Sequence, residues 1–503
     1  MGILCAVSSI GFANSSKTLL KGAKTVLVIG PASLFKARSF ATLGDKLLGA
    51  KLSSLAVELA KEVEPGDLGG SATTLTGAEP ARLGVGVLPD RLSRYNSETR
   101  AECVRRVIAQ LKSSPGACKG KLAIVLIVDD PAHVGAQTIA VGRCFPQYSG
   151  KSKPPKAPRV QLLAVGHQGQ TIKPDSGVTA TLVAVRDSAE LVDTPPSELN
   201  PGAMADRVRA LLDGLDVEIE EIVGDELLER GLGGIHAVGR AASSAPRMLV
   251  ASYTPKRTSG RHIALVGKGV TFDTGGLHLK PRGGMEGMKC DMGGAAAVLG
   301  AFRVIVAGRC QHRVSLIMCM AENAIGPTAF KPDDILTMHS GKSVEINNTD
   351  AEGRLLLGDG VSWAARELEA DTIFDAATLT GAQLIATGVV HGAIVSNDAE
   401  LEAAMILAGR QTGDLVHPLP FAPELFKCEF SSGVADMCNS VHNRMNAQTA
   451  CAAQFVYNHL DGVEVRWAHL DLAGPAFPKD RGTGFGVAVL AATVLGLTAD
   501  PRE

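Results

Sequence analysis

One stretch of the chain, Asn348-Thr349-Asp350-Ala351-Glu352-Gly353-Arg354-Leu355, crowds two carboxylates and a guanidinium behind an apolar-alternating lead-in at 343–346. Such a crowd is tolerable only if it is exposed, protonated or neutralised by a cation. Alone, it also reads as a polar turn between a strand and a helix that starts at Leu355. More acids stand in similar settings. Gly267-Lys268-Gly269 and Phe272-Asp273-Thr274-Gly275-Gly276 leave an apolar run, Lys280-Pro281 follows, and Asp291 precedes the small-residue run Met292-Gly293-Gly294-Ala295-Ala296-Ala297. Taken singly, Asp291 reads as a helix N-cap and Lys268 as a solvated residue at a strand end. As a group, Asp273, Asp291, Asp350 and Glu352 with Lys268 and Lys280 have one common explanation, convergence around a pair of divalent cations. Oxygen ligands with one of them bridging suit Mg, Mn or Zn. A lysine amine ligates only when neutral, which an adjacent dication enforces. Two metals about 3.5 Å apart clamp and ionise a bridging water, giving a hydroxide nucleophile at neutral pH.

Other chemistries are missing. There is no HExxH and no GxSxG elbow, and the 12 histidines form no ligand pair at helical spacing. Ser340-Gly341-Lys342-Ser343 ends like a phosphate loop, but Leu336 occupies the place of its first glycine. With 50 Lys plus Arg against 52 Asp plus Glu, no electrostatic footprint for nucleic acid or an anionic membrane is present. The 10 cysteines are scattered without a CxxC pair, which predicts reduced, mostly core thiols in an intracellular protein. No apolar run approaches the roughly 18 residues that span a bilayer, so a chain without a membrane partner is expected. The first acid is Asp45, and Lys17, Lys21, Lys24, Lys36 and Arg38 precede it, which faintly resembles an organellar transit segment. Residues 25–29 read instead as the first strand of the folded protein. A cytoplasmic location is therefore the expectation and organellar targeting the alternative. Met1-Gly2 invites N-myristoylation, but Ala6 stands where Ser or Thr is expected.

The elements that must position these residues read as α/β. Among 503 residues, 56 glycines and only 4% aromatics suit a fold of tight turns and close backbone approaches. Strands at 25–29, 83–88 and 121–128 interleave with helices at 42–63 and 97–111, and no glycine-rich fingerprint follows them. Residues 146–158, rich in Pro and Lys, break every periodicity and predict a linker or exposed loop. A connecting strand at 160–165 and a helix at 179–192 lead to Asp193-Thr194-Pro195-Pro196, where prolines fix a sharp entry. Beyond it, strands are expected at 217–222, 247–253, 262–266, 314–320, 371–376 and 391–395, and helices at 203–212, 225–230, 295–306, 358–368 and 449–459. The expected architecture is a smaller N-terminal α/β domain (1–160), a connecting segment and helix (161–192), and a larger C-terminal α/β catalytic domain (193–503). Its mixed, mostly parallel central sheet would be covered by helices, with the chemistry at strand ends.

The residues now on the page resemble the leucyl (cytosol) aminopeptidases, a family of two-metal exopeptidases. Asn348 to Leu355 match its signature. The likeness extends to Gly267-Lys268-Gly269, Phe272-Asp273-Thr274-Gly275-Gly276, Lys280-Pro281, Asp291-Met292-Gly293-Gly294, Ala377-Thr378-Leu379-Thr380-Gly381, Trp467-Ala468-His469-Leu470-Asp471 and Thr483-Gly484-Phe485-Gly486, in consistent order over roughly residues 180–500. The region from Asp436-Met437-Cys438-Asn439-Ser440 to Asn446-Ala447-Gln448 is more similar to the eukaryotic aminopeptidase-like branch than to the bacterial or lens enzymes.

The resemblance implies a division of labour. Lys268, Asp273, Asp291 and Glu352 would hold the tighter metal; Asp273, Asp350 and Glu352 would hold the more exchangeable one, Asp350 also through its carbonyl. The ions would be Zn or Mn, with Co or Mg as alternatives. The substrate's free α-amine would bind beside Asp291, Lys280 would polarise the scissile carbonyl, and Arg354 would hold a bicarbonate acting as general base near the Leu379 carbonyl. Met288, Thr378, Leu379, Gly381, Ala473 and Ala476 match positions that receive the first side chain. His278 replaces a small polar residue beside the site, and Ala476 stands where the lens-type enzyme has methionine; a pocket lacking that methionine is expected to be roomier and to take Leu, Met and similar apolar residues. The family also implies a homohexamer acting on peptides with a free N-terminus, and no nucleic acid partner. Two rivals remain at this point: another two-metal hydrolase such as a phosphoesterase, and a binding protein on the same fold.

Overall fold

The computed structural model describes residues 9–36, 39–154, 156–258 and 260–497. The Met1-Gly2 and Ala6 reading therefore lies outside the described residues. The chain forms two compact units, residues 1–186 with 410–413, and residues 187–409 with 414–503. The division falls inside the helix Ser176–Asp193.

The first unit is built on β1 (Ile10–Phe12), β2 (Thr25–Pro31), β3 (Gly70–Leu75), β4 (Arg82–Leu88), β5 (Lys121–Val128), β6 (Arg159–Gly166) and β7 (Thr171–Ile172). They form one sheet in the order β1-β6-β5-β2-β4-β3, with β7 on β6. Residues 160–165, expected as a connecting strand, are the core of β6, which pairs in parallel with β5 from Lys121↔Arg159 to Val128↔Gly166. The helix expected over 42–63 is two helices, Ser39–Leu48 and Ala50–Lys61, parted by Gly49 at φ 83°. Glycine takes that conformation without a Cβ penalty. Strand β3 carries small and hydroxylic residues that stay half-buried, so it offered no alternation to read.

The second unit is built on β8 (Glu218–Val223), β9 (Arg247–Tyr253), β10 (His262–Asp273), β11 (Arg313–Asn323), β12 (Ile335–Thr337), β13 (Ser343–Glu345), β14 (Thr372–Ala377), β15 (Gly392–Ser396), β16 (Val416–Pro418), β17 (Met437–Cys438) and β18 (Arg466–Asp471). Eight of these form a mixed sheet in the order β16-β15-β18-β14-β10-β11-β9-β8, and β12-β13-β17 form a small second sheet. Strand β10 is its centre, paired in parallel with β11 and β14. It runs on to Asp273, past the expected end at 266, with a register shift against β11 between Val270 and Asp273. Strand β9 pairs antiparallel with β11, which makes the sheet mixed as expected.

The helix Gly293–Ala307 packs on β10 and β14 and is buried along most of its length. Its small residues are required by closeness: a Cβ on Gly294 would come 2.7 Å from Ala377 Cα, and one on Gly267 would come 2.9 Å from Ala295 N. The run Met288–Ala307 is apolar and long enough by composition to cross a membrane, against the sequence reading, but 89% of its window is buried inside the protein. It is a core helix. The core includes the fully buried Val266, Ile317, Leu355, Val361 and Trp467, each contributing about 1.5–3 kcal/mol over exposure.

Candidate metal centre

Strand β10 delivers Lys268 and Asp273 to its carboxyl end, where open α/β sheets place ligands. Gly275 (φ 85°) and Gly276 (φ 66°) then turn the chain so that Lys280 comes back over the strand end. A Cβ on Gly275 would meet Asp350 Oδ1 at 2.9 Å, so the loop and the 348–355 stretch are in close contact. The side chains of Asp273, Asp350 and Glu352 each offer a ligand oxygen, and these atoms lie within 4.8 Å of one another. Lys268 Nζ sits 2.7 Å from Asp291 Oδ1, 2.9 Å from Glu352 Oε1 and 3.1 Å from the Thr378 carbonyl. Lys280 Nζ sits 2.7 Å from Asp273 Oδ2 and 2.6 Å from Asp350 Oδ1. All seven residues singled out for metal and catalysis except Arg354 are thus linked by direct contacts.

Asp291 does not cap a helix. It closes the turn Met288–Cys290, the following helix starts at Gly293, and the Asp291 side chain accepts instead from Lys268 and, at 2.8 Å, from Thr378 Oγ1. Gly353 owes its identity to a close approach by a side chain. It is the first residue of the helix Gly353–Arg366, and a Cβ there would come 2.6 Å from Lys268 Nζ. Its missing side chain is the space the lysine occupies.

The electrostatics show a shortage of positive charge. Four carboxylates, on Asp273, Asp291, Asp350 and Glu352, face the two ammonium groups of Lys268 and Lys280. Burial pushes Asp291 well above the carboxylate range, and burial followed by the Glu352 charge raises Asp273. Burial would lower both lysines, but the surrounding carboxylates outweigh it and hold each ammonium above its usual range. Asp291 Oδ2 is buried with no hydrogen-bond partner, and Asp350 Oδ1 meets Lys280 as an ion pair without an aligned hydrogen bond. Excess buried carboxylate oxygens of this kind fit hard divalent cations.

Arg354 is buried, its Nη1 donates to the Asn439 carbonyl at 3.1 Å, and its Nε has no partner. Burial lowers it to about 10. An unmatched guanidinium donor fits a small anion such as bicarbonate.

The substrate-side residues fall on two turns. Thr378, Leu379 and Gly381 follow β14, while Ala473 and Ala476 form the short helix after β18. Asp471 holds both turns, accepting from Leu379 N at 3.1 Å, Thr380 Oγ1 at 2.7 Å and Ala473 N at 3.2 Å. Thr378 and Ala476 both approach Gly293: a Cβ there would lie 3.1 Å from Thr378 Cγ2 and 3.4 Å from Ala476 Cβ. Met288 opens the turn that ends at Asp291.

Asn323 and Asp359 had no role in the sequence reading, and His278 entered it only as a replacement beside the site. Asn323 closes β11 and donates to Asp273 Oδ1 at 2.8 Å and to the Thr349 carbonyl at 3.1 Å. A polar residue ending a buried apolar strand was the available signal. His278 Nδ1 accepts from Thr349 N at 3.0 Å, tying the β10 loop to the signature. Asp359, buried and pushed up to about 7 by that burial, accepts from Ile235 N and His339 N at 2.9 Å each and pins the helix that begins at Gly353.

Known proteins resemble the chain across both units. Residues 187–491 match the cytosol aminopeptidase family, catalytic domain, and residues 24–154 match the M17 aminopeptidase N-terminal domain 2. The human "Probable aminopeptidase NPEPL1" is 44% identical over 428 residues, covering 83% of this chain and 80% of that protein. The structure of leucyl aminopeptidase from Trypanosoma brucei in complex with bestatin superposes with a TM-score of 0.88 at 34% identity, covering 98% of this chain and 96% of that one. The bottromycin maturation enzyme BotP, solved in complex with Mn, gives a TM-score of 0.74 at 27% identity over 94% of this chain and 99% of that one.

Proposed function

We propose, for a chain that belongs to the cytosol aminopeptidase family of metal-dependent peptidases, that it removes N-terminal Leu, Met and similar apolar residues from peptides. The observation carrying this reading is the convergence of Asp273, Asp350 and Glu352 oxygens within 4.8 Å, interleaved with the buried Lys268 and the half-buried Lys280. Lys268, Asp273, Asp291 and Glu352 hold one divalent ion, and Asp273, Asp350 and Glu352 hold the second. When bound, the pair supplies Lewis acidity and readies a water for attack at neutral pH.

The chain's own groups do the rest. The substrate's free α-amine is bound beside Asp291, which restricts cleavage to the first residue. Lys280 donates to the scissile carbonyl oxygen and stabilises the oxyanion as charge develops there. Arg354 holds bicarbonate, which supplies a general base near the Leu379 carbonyl. Ala476 leaves the pocket wall short beside Thr378, which favours long apolar side chains. The first unit serves assembly, and the chain at 193–503 catalyses. The working form is a homohexamer in the cytoplasm.

A phosphoesterase reading has less support, since lysines take the places where such sites gather histidines. The test is a panel of aminoacyl reporters on metal-stripped protein, with and without Mn, Zn or Co, alongside light scattering. Metal-dependent release from Leu and Met reporters by a hexamer is expected. A strict preference for small residues would sink the pocket assignment, and hydrolysis that survives chelation would sink the metal reading.

A further inference from the structure

Asn439 follows β17 and is fully buried at 0% exposure. Its side chain uses every hydrogen bond an amide can make. Oδ1 accepts from Asn347 N at 3.0 Å and Asn348 N at 3.2 Å, while Nδ2 donates to the Asn348 carbonyl at 2.7 Å and the Ala351 carbonyl at 3.2 Å. Its main chain adds two more: N donates to the Glu345 carbonyl at 2.9 Å, and its own carbonyl accepts from Arg354 Nη1 at 3.1 Å. One residue therefore grips the chain before Asp350, after it, and at Arg354. Asn347 answers in the other direction, its Nδ2 donating to the Ser440 carbonyl and its Oδ1 accepting from Ser440 N, both at 2.9 Å. The parallel pairing of β13 with β17, Val344↔Met437 and Glu345↔Cys438, sets the register of this exchange.

We propose that Asn439 is the positioning residue of the metal loop: it fixes the path of 347–351 so that the Asp350 and Glu352 carboxylates converge on Asp273, with Arg354 held in the same frame. The inference rests on the two-metal reading of the site. Only a neutral amide meets the demand. An aspartate at this position would accept from Asn347 N and Asn348 N but would set a charged oxygen against the Asn348 and Ala351 carbonyls. An apolar isostere would leave two buried N–H groups and two carbonyls without partners, at a cost for each. Chain segments that are free to wander hold carboxylates at many separations, and a dication accepts few of them.

The test is calorimetric titration of Mn into the metal-free full-length protein, comparing wild type with Asn439→Ala and Asn439→Asp. Melting of the metal-free proteins and kcat and KM for a Leu reporter are followed in parallel. Mn affinity is expected to fall roughly 10–100-fold, as for outer partners of metal ligands, with kcat recovering in part at high Mn. A residue with only a structural duty would lower the melting temperature and leave the Mn affinity of the folded protein unchanged, and that result overturns the proposal. If the wild type itself takes up neither Mn nor Zn, the two-metal reading fails and this inference falls with it. If it binds and the folded variants bind equally, only the role of Asn439 fails. Should neither variant fold, Asn439→Ser, which keeps a hydroxyl at the position, is judged by the same criterion.

Discussion

Both units place charged residues at the carboxyl ends of their parallel strands, and they balance them in opposite ways. In the first unit, Asp129 after β5 meets Arg100 Nη1 at 2.7 Å and His167 Nε2 at 2.9 Å. Arg100 also donates to the carbonyls of Pro89, Asp90 and Glu98, and Asp90 Oδ1 accepts from Ser33 N and Oγ. Donors and acceptors there answer one another, and the group reads as a knot that ties the strand ends together. In the second unit, carboxylates outnumber their cations, buried oxygens go without donors, and burial pushes Asp273 and Asp291 above the usual carboxylate range. Position at a strand end is common to both. Unmet charge distinguishes a site that needs a ligand from one already complete.

Three substitutions bear on that contrast. Lys280→Ala should have the largest effect, lowering kcat by about 10²–10³-fold, or about 3 kcal/mol of transition-state stabilisation. Near-normal turnover in steady-state assays would move Lys280 into the company of Arg100, as an ion-pair partner without a catalytic task. Gly353→Ala comes next. Its methyl group takes the space of the Lys268 side chain, so the lysine must shift from Asp291 and Glu352, at a cost of about 1–3 kcal/mol for overpacking together with reduced kcat/KM. Denaturant titration and kinetics would read both, and an unperturbed enzyme would mean that Lys268 has room to spare. Arg100→Ala should be the mildest, leaving kcat/KM unchanged while stability drops by about 1 kcal/mol through lost hydrogen bonds. A large fall in turnover from this variant would break the contrast between the two clusters.

How much of this was legible in the sequence depended on whether the signal was local. The ligand candidates stood out because acids flanked by glycine after apolar runs are poor core material, and the structure brings Lys268, Asp273, Lys280, Asp291, Asp350 and Glu352 into mutual contact. Strands such as β2, β4, β5 and β9 were readable from their apolar runs. The sheet position of β6 was not, because a strand's neighbours are set by long-range pairing and its sequence looks the same at an edge or a centre. The extension of β10 to Asp273 was hidden by its polar tail, which is tolerable only because the site lies there. The roles of Gly353 and Asn439 were hidden for a related reason. Their duties are toward Lys268 and the 347–351 backbone, partners distant in sequence, and no spacing rule reports them.

The arrangement of β13 against β17 has a further consequence for how the protein comes into being. Synthesis delivers Lys268 and the signature stretch well before Asn439 and Asp471, which hold the signature loop and the substrate-side turns in place. A chain still emerging from the ribosome therefore carries its candidate ligand residues without the frame that gathers them. The hydrolytic centre is completed only when nearly the whole second unit has been made, so a half-built copy poses no danger to the free N-termini of its neighbours.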